Sequence, residues 1–171
     1  MIKFFLILTV VLSRLLPHPA NFTAAGASAI FAGANLPLRA SVAITLLGLI
    51  ISDYMLLYIN PFSANPINMS QLYSPLAMFH STTLFVYLSI SANILISKVF
   101  LSNLSINRLI GVPILSSLQF FLITNFGVWV TGAYNRGIDG LLQSYIIGLP
   151  FFKYTILGDL FYTALFFTAY E

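Results

Sequence analysis

Cysteine is absent and charge nearly so. The 171 residues carry seven Lys plus Arg and four Asp plus Glu, together 6% of the chain. Without a thiol there is no disulfide, thiolate metal site, cysteine nucleophile or iron–sulfur cluster. Seven basic and four acidic residues cannot supply the shell of a water-soluble globule, where about a quarter of residues are charged. The scattered basic residues form no patch, so the net charge of +3 indicates no nucleic-acid partner. Also missing are a GxSxG elbow, a Gly-rich phosphate loop, an HExxH pair and any ATP-binding motif. The expectation is therefore a chain that is no enzyme, carries no cofactor and leaves any ATP-driven step to another protein. The two histidines, His18 and His80, are far apart in sequence and could make a metal site only with Asp53 and Asp159.

What fills the chain instead is apolar: 59% hydrophobic residues, 15% aromatic, and a mean hydropathy of +0.96. The expected fold is an all-α integral membrane bundle of about six transmembrane helices, the first two short, forming one domain over residues 1–171. Length allows six spans of about 20 residues. Helices are required because an open strand edge leaves polar groups unsatisfied in hydrocarbon, and the ten-residue alternation of barrel strands is not seen.

The apolar segments are residues 2–16, 22–36, 38–59, 75–101, 109–131 and 151–170. The first reads as a span and not as a cleaved signal peptide, because Ala27-Ser28-Ala29 lies far beyond its apolar core. In the second, Ala25, Ala29 and Gly33 recur every four residues on one helix face, a surface for close packing inside the protein or against a partner membrane subunit. Residues 60–74 form an uncharged loop rich in Asn, Pro and Ser. Residues 141–149 are too short to span and are expected at the interface, ending at Pro150.

Six crossings put both termini on one side, with Lys3, Arg39, Lys98 and Arg108. Arg14, Arg136 and Lys153 fall on the other. The positive-inside rule makes the first side cytoplasmic. With that orientation, Arg14, His18, Asn21, Asp53, His80, Asn125, Trp129, Asp159 and Tyr162 fall toward the outer leaflet. Asp53 and Asp159 are the acids inside spans, and Arg14 is expected to contact one of them, because a charge at membrane depth normally pairs. His80, Thr83, Tyr87 and Ser91 make a polar stripe on the fourth helix. Asn93 falls off that stripe and outside the expected site. Structural readings stand beside these: Trp129 and Tyr162 as members of an aromatic belt, Arg14 snorkelling to the surface, His18 as an exposed loop residue, Asp53 and Asp159 in structural pairs, and Asn125 as a helix–helix hydrogen bond.

Four motifs carry a resemblance over nearly the whole chain: Arg14-x-x-Pro17-His18-Pro19-x-Asn21-Phe22-Thr23, Phe79-His80-Ser81-Thr82, Thr124-Asn125-Phe126-Gly127-Val128-Trp129, and Gly158-Asp159-Leu160-Phe161-Tyr162. They resemble an uncharacterised family of small bacterial membrane proteins described as transport proteins, which implies a multi-pass protein of the bacterial inner membrane. More distantly, the layout is similar to the S components of energy-coupling-factor transporters. That likeness implies capture of a vitamin or metal ion in an outward pocket, a partner membrane protein and two ATPases. S components dock through a small-residue surface on their first helix, whereas Ala25 and Ala29 lie in the second segment here.

Two functions are thus expected of different classes. One is small-solute binding or uptake in an outward polar pocket, with Arg14 attracting an anionic group and Trp129 and Tyr162 stacking on a ring. The other is an accessory subunit of a larger membrane complex, contacting lipid or pigment. A polar-lined cavity within the chain favours the first. A filled bundle with exposed small-residue faces favours the second.

Overall fold

Proline sets the first two helix ends. In the computed structural model, which describes residues 1–70 and 72–170, α1 (Ile2–Leu15) stops because Leu16 precedes Pro17 and is extended, with φ −77° and ψ 150°. The second helix, α2 (Ala25–Asn35), stops the same way at Leu36 before Pro37. A residue before proline is pushed out of the helical region by the proline ring. Pro37 then opens α3 (Leu38–Leu56). Ser105 caps α5 (Ile106–Val130) by accepting from the Arg108 N–H.

Two boundaries differ from the sequence expectation. The segment at 75–101 is not one helix. A 3-10 turn at Pro75–Met78 is followed by a break, and α4 runs Thr83–Phe100. The break is held by the Thr83 hydroxyl, which accepts the His80 N–H at 2.9 Å, so His80 stands in the link and not on α4. Residues 141–149 are no separate interfacial piece either: α6 is continuous over Ile138–Tyr170, 33 residues with Pro150 inside. Proline in a helix interior removes one hydrogen bond and costs about 3 kcal/mol. Here the ring lies on the exposed side, and the long packing of α6 along α5 offsets that loss.

The result is all-helical, with six helices and no strand among the described residues. The expected loop at 60–74 is irregular and pinned by an isolated bridge between Ile59 and Ile67; its Gln71 lies outside the described residues. Three helices, α3, α4 and α5, are long and apolar enough to cross a membrane.

At the centre is α2, which touches all five other helices. Residues 25–33 are all buried. Its small side chains make this possible: Gly33 meets the Ile94 backbone and Ser97 of α4, and Ser97 Oγ donates to the Ile30 carbonyl at 2.7 Å. The Ala25, Ala29 and Gly33 stripe is thus covered within the chain. Beside the apolar core, many small polar side chains are buried and many large apolar ones exposed, unlike a water-soluble globule. Ser41, Ser52, Ser89, Asn93, Ser97, Ser116 and Ser117 are buried, while Phe4, Leu84, Leu88, Val99, Leu142 and Ile146 are exposed.

Candidate functional site

All six helices and two links line a cavity of about 300 Å³. One wall is an ion pair. Arg14, in the last turn of α1, places Nη2 at 2.5 Å from Asp53 Oδ1 near the end of α3. Its Nη1 donates to Ser52 Oγ at 2.5 Å and reaches the Leu49 carbonyl at 3.4 Å. Tyr87 of α4 donates to the other Asp53 oxygen at 2.6 Å. Every strong acceptor on this wall is therefore engaged, and the guanidinium does not snorkel.

The lining also includes Asp159 of α6, buried without an ion-pair partner among the described residues. Its Oδ2 accepts from Ser117 Oγ of α5 at 2.7 Å, and its carboxylate also accepts the Ala27 N–H. That amide belongs to the first turn of α2, whose own preceding residue, Ala24, offers no side-chain cap. Asp159 thus satisfies an orphan donor that the local sequence cannot and sits at the positive end of the α2 dipole. Gly26 is part of the same junction: a Cβ there would overlap the carboxylate. Gly26→Ala is accordingly expected to lower stability by about 1–3 kcal/mol by overpacking, read as a lower thermal midpoint of the purified protein.

Along α4 the cavity follows Thr83, Val86, Tyr87, Ile90 and Asn93, three turns or about 15 Å of helix. Asn93 is wholly buried and its Nδ2 has no hydrogen-bond partner. An unpaired buried donor costs about 1–3 kcal/mol. His18 and His80 belong to the links: His18 Nδ1 donates to the Leu16 carbonyl at 2.6 Å, and His80 Nδ1 pairs with the Thr82 hydroxyl at 3.0 Å. Asn21, in the left-handed region at φ 68°, a conformation asparagine tolerates better than most residues, lines the cavity as well.

Of the nine residues expected from sequence, Arg14, His18, Asn21, Asp53, His80 and Asp159 line this cavity. The other three do not. Asn125 donates to the Phe121 carbonyl of its own helix, packs on Gly148 of α6 and lines a smaller neighbouring cavity. Trp129 donates Nε1 to the Gly137 carbonyl at the α5–α6 turn. Tyr162 lies among Phe22, Phe161 and Phe166. The two rings expected to stack in the pocket, Trp129 and Tyr162, are thus absent from its lining.

Asn93 was the residue the sequence pattern missed, and the reason is angular. At 100° per residue, Asn93 and Ser91 lie about 80° from Thr83 in opposite directions, so periodicity could not say which way the stripe bends. The usable signal was its amide: a large polar group in an apolar helix interior.

The fold and this cavity define a class: an all-helical bundle with exposed apolar faces around a small, polar-walled chamber. The chain belongs to DUF6580, a family of unknown function, whose model matches residues 1–171. No curated protein and no solved structure matches it. Membership agrees with the expected uncharacterised family and supports neither the transport nor the S-component description.

Proposed function

We propose that the chain is a multi-pass membrane protein that binds a small solute in the Arg14–Asp53–Asp159 cavity, as a step in uptake. The observation that carries this reading is the convergence itself. In a chain with so few charges, an ion pair, a second carboxylate and both imidazoles line one chamber. Each charge at membrane depth costs about 2.5–3.5 kcal/mol on insertion scales, and one structural pair would need only two of them. At about 300 Å³ the chamber is at the small end of ligand pockets, which run from roughly 300 to 1,000 Å³. The exposed Leu, Ile and Phe faces suit lipid, and the accessory-subunit reading loses ground because the small-residue stripe is covered inside the chain.

In this reading all six helices cross or enter the inner membrane with both termini cytoplasmic, and the 57–82 connection roofs the chamber on the outer side. Since the chain has no cysteine, a single Asn68→Cys variant reports on that directly: labelling by an impermeant maleimide is expected in intact cells. Labelling only after permeabilisation would invert the orientation.

Binding is tested by thermal screening of the purified chain against small polar solutes. A ligand at about 100 times its Kd stabilises the native state by about 2.7 kcal/mol. Val86→Trp, which fills the chamber from α4, should erase that shift while leaving the unliganded midpoint near its original value. A panel that shifts nothing, or a shift that survives Val86→Trp, refutes the reading.

A further inference from the structure

We infer that the solute is a small organic cation carrying a hydrogen-bond acceptor: its protonated nitrogen pairs with Asp159 and its acceptor takes the free amide of Asn93. This rests on the solute-binding reading and narrows it. The first support is the charge balance of the lining. Of the seven basic Lys and Arg residues, Arg14 alone lines the chamber, and it is spent on Asp53, Ser52 and the Leu49 carbonyl. An anionic solute, the expectation from Arg14 considered alone, would have to break that ion pair. Asp159 has no such counter-ion. The α2 N-terminus beside it supplies roughly half a positive charge, so an ionised Asp159 leaves a deficit for the solute to fill, counting histidine as neutral.

The second support is independent of charge. Gln119 of α5 fixes which way Asn93 faces. Its Nε2 donates to the Ser89 carbonyl at 2.8 Å, and a carbonyl can only accept. Its Oε1 accepts from Ser89 Oγ at 3.2 Å. The same Nε2 donates to Asn93 Oδ1 at 2.7 Å, which leaves Asn93 Nδ2 as the unmatched group, a donor. The two buried polar groups thus ask for opposite things: a donor, best a charged one, at Asp159 and an acceptor at Asn93. Phe120, Ile90 and Leu49, which line the same chamber, suit a carbon framework of one ring.

Four near-isosteric probes separate these requirements: meta-picolylamine (cation and acceptor), benzylamine (cation alone), nicotinyl alcohol (acceptor with an uncharged donor) and nicotinate (anion). Kd values come from the concentration dependence of the thermal midpoint of the full chain in detergent. The amine with the ring nitrogen is expected to bind about tenfold more tightly than either benzylamine or nicotinyl alcohol, and nicotinate to give no shift. Asp159→Asn, which keeps an acceptor for Ser117 and Ala27, should bring meta-picolylamine and nicotinyl alcohol within about twofold of each other. Asn93→Ala should do the same for meta-picolylamine and benzylamine. Tightest binding by nicotinate or the alcohol overturns the cation class and leaves solute binding standing. No shift with any of the four overturns the class alone, because the wider solute panel judges the binding function separately. Preferences unmoved by both substitutions would place the probes elsewhere and sink the proposal.

Discussion

Asp53→Asn is expected to be the most damaging conservative substitution in the chain. Asparagine can still accept from Tyr87, so the change removes little besides charge. It leaves the Arg14 guanidinium largely buried without its counter-ion, since only 19% of that side chain is exposed, against 11% for Asp53. Breaking a buried pair from one side costs about 3–5 kcal/mol, because the surviving charge stays desolvated. At about 2–4 °C per kcal/mol for a chain of this size, the midpoint should fall by roughly 10 °C. The double variant Arg14→Met/Asp53→Asn separates pairing from packing. With no orphan charge left it should recover most of the loss, as replacing a whole buried pair is often neutral. A double variant as unstable as the single one would mean that the Arg14 contacts to Ser52 and Leu49, and not the ion pair, hold α1 to α3.

The second large effect is expected at Gly33. A methyl group there would meet the Ile94 carbonyl and Cα as well as Ser97 Oγ. Backbone cannot swing aside as a side-chain tip can, so Gly33→Ala must push α2 away from α4 or tilt it. Overpacking of this kind costs about 1–3 kcal/mol, and α2 has no free face to move toward because residues 25–33 are all buried. Gly111 of α5 is the matched control. It lies in a helix interior with nothing near a would-be Cβ, so Gly111→Ala should be neutral or stabilising by up to about 1 kcal/mol through helix propensity. Equal midpoints for the two alanine variants would refute the close approach of α2 and α4. Displacement of α2 would also shift its N-terminus, where Ala27 meets Asp159, so Gly33→Ala should weaken the proposed solute binding from a position outside the cavity.

Sequence alone was sufficient for the helical architecture and for most of its punctuation, because both follow from local physics. Scarce charge and apolar runs of helical length leave few alternatives to a helical bundle, and the extended residues before Pro17 and Pro37 end α1 and α2 where the pattern says they should. The expectation that Arg14 meets an aspartate had the same origin: an ion among apolar residues needs a counter-ion, whatever the details. Even so, Pro150 was misread as a stop, because the packing of α6 on α5 that carries the helix through it has no local signature.

Tertiary structure decided the rest. Which aspartate Arg14 takes, and therefore which one is left unpaired, depends on how α1, α3 and α6 are brought together. Two carboxylates that look alike in sequence thereby become different groups: Asp53 is neutralised, and Asp159 caps the first turn of a helix more than a hundred positions earlier in the chain. Asn93 entered the cavity, and Asn125, Trp129 and Tyr162 left it, because a helix face has meaning only once its neighbours are in place. Periodicity gives the angle between two side chains on one helix, but the direction of the chamber is a property of the assembled bundle.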